Sequence, residues 1–268
     1  MSPPCQKEPE PASTTTMQDP SLLLLEILSR RIPPAAASWL ERVEAVTGPR
    51  GRQGAERIAS MSEASAWFDR DHFLATFTAA ARALGKAPLG LQAGERDALK
   101  AADISAAVDH WRLDELGRVT MIVLVSRSLP PPELDPLVGA CYQQGDSRER
   151  QAILRALPFL NGAERFVPLA VDACRTNELP VFEAIACENP YPAACFPDLN
   201  FNQMVLKAMF MGVALARIVG LEQRRSNELA RMAEDFASER RAAGRSVPAD
   251  IGLLSLELEH ERATRIPE

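Results

Sequence analysis

The sequence predicts an all-α protein of stacked antiparallel helix pairs, a HEAT- or armadillo-like solenoid wound as a right-handed superhelix. Three observations lead there. Apolar residues recur at helical spacing over most of the chain. Alanine and leucine abound while tyrosine occurs only twice among 268 residues, which disfavours sandwiches and barrels rich in β-branched and aromatic residues. From residue 133 onward helix-sized segments come in pairs joined by short turns, at a period of about 30 residues. A pair with an apolar stripe on each helix buries both only by stacking on its neighbours.

Residues 1–18, with four prolines, several hydroxyl residues and little to bury, read as a disordered tail. Residues 19–262 then form one helical domain, and 263–268 a C-terminal tail. Asp19-Pro20 is an N-cap followed by proline at the first helical position and opens a helix through Leu28. A second helix follows Pro33-Pro34, carries Trp39, Leu40, Val43 and Val46, and stops at Thr47-Gly48-Pro49. Residues 50–60 are polar and basic, a loop or weak helix. Across 62–84, Phe73, Phe77, Ala80, Ala81 and Leu84 share a stripe, and Gly85 supplies the stop. After a Gly/Pro-punctuated link over 86–94, a short helix fits Ala93–Ala102. A longer one runs from Leu113 to Ser128 and is closed by Pro130-Pro131-Pro132; its segment Val119–Val125 is β-branched, but no partner strand is visible. The pairs 133–144 with 147–158, Asp146 being an N-cap, and 161–176 with 179–188 make the repeat. Further helices are predicted over 200–211, over 226–243 ending at Gly244, and over 249–262.

The composition, 46% hydrophobic and 25% charged, is that of a globular protein. A net charge of −6 without a basic face speaks against nucleic acid. Five cysteines, Cys5, Cys141, Cys174, Cys187 and Cys195, have no paired spacing and read as reduced thiols of the cytoplasm. The apolar run Leu22–Leu25 is too short to span a bilayer, so the chain is not expected to be embedded in a membrane. No metal site is expected, because His72, His110 and His260 are scattered and no CxxC occurs. No cofactor is expected either: phosphate-binding glycine loops and nucleophile elbows are absent.

Polar residues crowd into apolar sequence over 174–207, CRTNELPVFEAIACENPYPAACFPDLNFNQMVLK. Glu183 sits among apolar neighbours, Glu188-Asn189-Pro190-Tyr191-Pro192 reads as a stiff turn, and Gln203 and Lys207 share one helical face with Asn200 a turn away. One reading is a partly buried pocket in which Glu183, Glu188 and Lys207 orient a small ligand. The other is architectural: Asn177 and Asn200 as caps, Glu188 and Lys207 as an inter-helix ion pair, and the prolines as a pivot.

The blocks GDSRERQAILRALPFL (145–160), CRTNELPVFEAIACENPYPAACFPDLNFNQMVLKAMF (174–210) and ARIVGLEQRRSNELARMAEDFASERRAAGRSVP (216–248) resemble the EboA family, whose gene cluster is shared by diverse bacteria and eustigmatophyte algae. The resemblance is strongest over about 140–250, and its ENPYP and FNQMVLKA strings are specific. It implies a role in the traffic or handling of a small secondary metabolite, with that metabolite or proteins of the same cluster as partners. The positions matching its signature are Glu183, Glu188, Asn189, Tyr191, Asn202, Gln203 and Lys207. They are the candidate ligand- or partner-binding residues, and no catalytic residue carries over. The sequence thus points to a non-catalytic adaptor or carrier. Its rivals are an enzyme using Glu183 or Glu188 as general acid or base and a purely structural scaffold.

Overall fold

The computed structural model describes residues 20–47, 68–102 and 108–255. Among them every regular element is helical, apart from one isolated bridge between Pro88 and Arg112. The helices are α1 (Pro20–Ser29), α2 (Ala37–Thr47), α3 (Arg70–Leu84), α4 (Ala93–Ala101), α5 (Leu113–Val125), α6 (Pro131–Gln144), α7 (Ser147–Ala156), α8 (Val167–Ala173), α9 (Leu179–Ala186), α10 (Tyr191–Cys195), α11 (Asp198–Met211) and α12 (Asn227–Ala242). None of the described helices is long and apolar enough to cross a membrane.

Local chemistry sets many of these ends. Asp69 caps α3, accepting from the His72 amide at 2.9 Å, and Gly85 stops it with φ 75°. Asp146 accepts from the amides of Arg148 (2.8 Å) and Glu149 (2.9 Å) while Glu149 accepts from the Asp146 amide (2.8 Å), a reciprocal cap that fixes the start of α7. Ser226 opens α12 by accepting from the Leu229 amide at 3.1 Å.

Four sequence expectations are corrected. Pro131 and Pro132 do not merely close α5; they form the first turn of α6, where a missing N–H costs nothing. The helix expected over 161–176 is a 3-10 turn, Ala163–Phe166, followed by the short α8, because Gly162 takes a left-handed conformation (φ 62°) just before it. The proline string does not end in an irregular turn, since Tyr191 starts α10 with Pro192 in its first turn. Of the last expected helix, the described part is a 3-10 segment, Ala249–Leu254. The expectations for 1–18, 50–60, the start of the 62–84 helix, 256–262 and 263–268 lie outside the described residues, as do Cys5 and His260.

Helices α3, α5, α7, α9 and α11 pack each against the next. Helices α1 and α2 lie against α5, α6 against α7, α8 against α9, and α12 against α11. One continuous core runs from Leu23 to Leu254. Helix α5 is its axis: Leu116, Val119, Met121, Ile122, Val123 and Val125 are all buried, which explains why its β-branched run reads like a strand.

The closest approach on α5 is at Gly117. A Cβ there would lie 3.0 Å from the Trp39 ring and closer still to Leu84. Trp39 is fixed by its indole N–H, which donates to the Thr76 carbonyl at 2.9 Å. Helix propensity alone would favour alanine at this position by about 1 kcal/mol. Overpacking should win, so Gly117→Ala should lose about 1–3 kcal/mol in urea denaturation; a stabilised variant would show the contact to be loose.

Arg31 ties α1 to the start of α4. Its Nη1 donates to Glu95 Oε1 at 2.8 Å, its Nη2 bonds Glu95 Oε2, and its Nε donates to the Leu89 carbonyl at 2.6 Å. These Arg31 bonds hold the buried Glu95 carboxyl at about 2, below its ordinary 4.5, against the opposing effect of burial. The resulting stabilisation is complete above about pH 4.5 and is lost as pH falls through about 2. At neutral pH Glu95→Gln should therefore be less stable by on the order of 2 kcal/mol. That gap should close as acid denaturation is followed down to pH 2.

Candidate functional site

The seven residues singled out by sequence fall into three groups that do not share one pocket. Glu183 on α9 and Glu188 just beyond it converge on Arg217. Arg217 Nε and Nη2 donate to the two oxygens of Glu188 at 2.8 and 3.0 Å, and Nη1 donates to Glu183 Oε1 at 2.5 Å. The Glu188 amide also donates to the Arg217 carbonyl at 2.9 Å. Glu188 takes φ 50°, the left-handed region that non-glycine residues rarely occupy, and this paired clamp holds it there. Both carboxylates raise the Arg217 pKa, Glu188 more than Glu183. Their oxygens thus serve as ion-pair acceptors, which weighs against either acting as a general acid.

Asn189 and Tyr191 are buried and make the corner. Asn189 Nδ2 donates to the carbonyls of Leu154 (3.1 Å) and Ala184 (2.9 Å), and its Oδ1 accepts from the Tyr191 amide at 3.0 Å. The Tyr191 hydroxyl donates to the Ala163 carbonyl at 2.7 Å, and its ring meets Phe196 edge-on. One side chain thus binds α7, the end of α9 and the start of α10. Asn202 is also buried, on the core side of α11.

Gln203 and Lys207 form the third group. With Asn200 and Arg175 they line a cleft of about 320 Å³ between α8 and α11 whose apolar walls include Val171, Phe196 and Met204. Lys207 Nζ donates to Asn177 Oδ1 at 2.9 Å and sits 6.0 Å from the Phe210 ring centre. The architectural alternative therefore needs correction in its details. Glu188 pairs with Arg217 rather than Lys207, Asn177 accepts from Lys207 rather than capping, and Asn200 lies inside α11.

Sequence reasoning missed Arg217, Arg155 and Arg224. Arg155 on α7 pairs with Glu115 of α5. Burial pulls its guanidinium down to about 10, opposed by the nearby Glu188 and Glu183 carboxylates, so it stays charged at neutral pH. Arg224 donates to the carbonyls of Ala193 (2.6 Å) and Phe196 (2.8 Å) and lies over the Phe201 ring at 4.6 Å, locking α10 to α11. Periodicity does not name an arginine's partner on another element, whether it lies on a helix, as Arg155 does, or outside the α-helices, as Arg217 and Arg224 do.

Nucleophilic chemistry has little purchase here. Burial pushes the Cys141, Cys174 and Cys187 thiols up to about 12 and raises Cys195 as well, and a protonated thiol is a poor nucleophile. Among the described residues no group of three or more His, Cys, Asp or Glu side chains could hold a metal ion.

Fold and site together define an all-helical protein with polar clefts between its helices. A family model described as "Metabolite traffic protein EboA" matches residues 21–254, reaching well into the N-terminal half. The chain belongs to the EboA family. No curated protein and no solved structure gives a significant match.

The corner makes a sharp prediction. Asn189→Ala leaves two buried carbonyls and one buried amide without their partner, so it should cost about 2–3 kcal/mol. Chemical denaturation checks this; a loss below about 1 kcal/mol would mean that water replaces the side chain.

Proposed function

We propose that the chain is a non-catalytic carrier or adaptor that handles a small secondary metabolite in the cytoplasm. Its ligand would sit in the α8/α11 cleft. The observation behind this reading is the cleft's composition: the polar ends of Gln203, Lys207, Asn200 and Arg175 stand over apolar walls. Its volume of about 320 Å³ falls at the lower end of pockets that seat small molecules. Lys207 supplies charge and Gln203 both donor and acceptor, so an acidic or carbonyl-bearing compound with an apolar body suits it.

The family description, metabolite traffic, agrees with a binding role. The same helix exposes Leu199 and Phe210 (59% and 64%), which suit contact with a partner protein of the same gene cluster. The successive packing of α3, α5, α7, α9 and α11 supports one domain of stacked helix pairs of the HEAT or armadillo kind, and the right-handed winding of the superhelix is part of the proposal. In this reading Asn189, Tyr191 and Asn202 are scaffold, and Glu183 and Glu188 with Arg217 brace the helices that carry the cleft.

Lys207 allows a clean test because its bond to Asn177 is exposed, and such contacts contribute at most about 1 kcal/mol. Lys207→Ala should keep the wild-type melting temperature within a few degrees. Native mass spectrometry after incubation with host extract should show a small-molecule adduct on wild type that is lost in this variant. An adduct retained at full occupancy by the folded variant would remove the cleft from consideration.

A further inference from the structure

A second cleft, of about 420 Å³, opens where the N-terminal ends of α5, α7 and α9 meet, far along the fold from Lys207 in sequence. Its lining includes His110, Arg112, Asp114, Arg148 and Arg155. Some of these charges are already engaged. Glu115 accepts from the Arg112 amide (3.4 Å) and from Arg155. Asp114 Oδ2 accepts from the buried Arg118 at 3.0 Å.

Two guanidiniums make no hydrogen bond among the described residues, although Arg148 forms a loose ion pair with Asp114. Arg148 comes only within 3.8 Å of Asp114, too far for a hydrogen bond. The exposed Arg112 guanidinium has no hydrogen-bond or ion-pair partner among the described residues. A further observation points to a missing group. Asp114 is 1% exposed, yet its Oδ1 is buried without a hydrogen-bond partner among the described residues. A carboxylate oxygen in that position calls for a donor.

We propose that this cleft binds a small oxyanionic molecule, a phosphate monoester or a carboxylate, that also carries an amine or hydroxyl. The oxyanion lies between Arg112 and Arg148, whose planar forks match such a group bidentately. The donor is directed at Asp114, whose Oδ1 is sealed from solvent until the side chains over it move aside. This site is separate from the α8/α11 cleft and does not depend on what that cleft binds.

The test uses the full chain with inorganic phosphate and phosphoethanolamine as probes, each titrated at low millimolar concentration against sodium chloride of equal ionic strength. Wild type should bind both by calorimetry, phosphoethanolamine the more tightly. Arg112→Gln combined with Arg148→Gln removes only side chains at the mouth of the cleft. It should keep the fold by circular dichroism and weaken both probes by about tenfold or more, as expected for loss of charge-assisted bonds. Arg231→Gln, at an exposed arginine of α12 that lines neither cleft, should leave both affinities unchanged. Undiminished binding by the folded double variant, or no binding of either probe to wild type, overturns the site; equal affinity for the two probes overturns the part given to Asp114.

Discussion

Taking the Arg118 guanidinium out of water costs several kcal/mol unless its donors are met, and the way α3, α5 and α7 come together follows from how they are met. Nε donates to the Phe77 carbonyl at 3.1 Å and Nη1 to Asp114 one turn earlier on α5. Glu149 of α7 approaches Nη2 at 3.9 Å, and the Phe77 ring lies 5.7 Å from the guanidinium carbon. Because its donors are met by groups of α3, α5 and α7 together, sliding any one of these helices would leave part of the guanidinium unmet. The same carboxylates have second duties. Glu149 closes the cap of α7, so the start of that helix and the placement of the buried charge are one constraint. The second cleft inherits part of its geometry from this arrangement, since Asp114 is held by it.

A second clamp, Arg217 with Glu183 and Glu188, does for the C-terminal half what Arg118 does for the centre, but at half-buried positions. It pulls the segment after α11 against the end of α9 and forces Glu188 into a left-handed conformation. That backbone twist lets Asn189 turn inward to reach Leu154 and Ala184. A polar sequence that reads as a ligand pocket is therefore largely a corner: its most specific string, ENPYP, goes into holding three helices at fixed angles. What is left facing solvent is the α11 face carrying Gln203 and Lys207.

Helix positions were legible wherever a cap or stop was written in the chain. Asp146, Ser226 and Gly85 mark their helix ends, and the β-branched run of α5 reads correctly as a buried helix once no partner strand is found. Proline was harder to read, because it serves equally after one helix and in the first turn of the next; Pro131 and Pro192 both open helices. The grouping of site residues was not legible, for a physical reason. Helical periodicity places Gln203 beside Lys207 correctly because both sit on one helix. It carries no information about which carboxylate meets which cation across 29 residues of chain, the separation of Glu188 and Arg217. The cleft formed by Arg112 and Arg148 was missed because its residues come from three helices and follow no motif.

The charge balance constrains how either cleft could recognise a ligand. The chain carries a net −6, so at long range it repels anions, though over no more than about 8 Å at physiological ionic strength. Lys207 and Arg175 lie beside apolar walls, where their fields are less screened, whereas Arg112 and Arg148 stand among polar side chains near the surface. Under these conditions attraction begins only once a ligand has entered, so selection rests on fit and hydrogen-bond geometry rather than on steering. Such binding gains little in association rate.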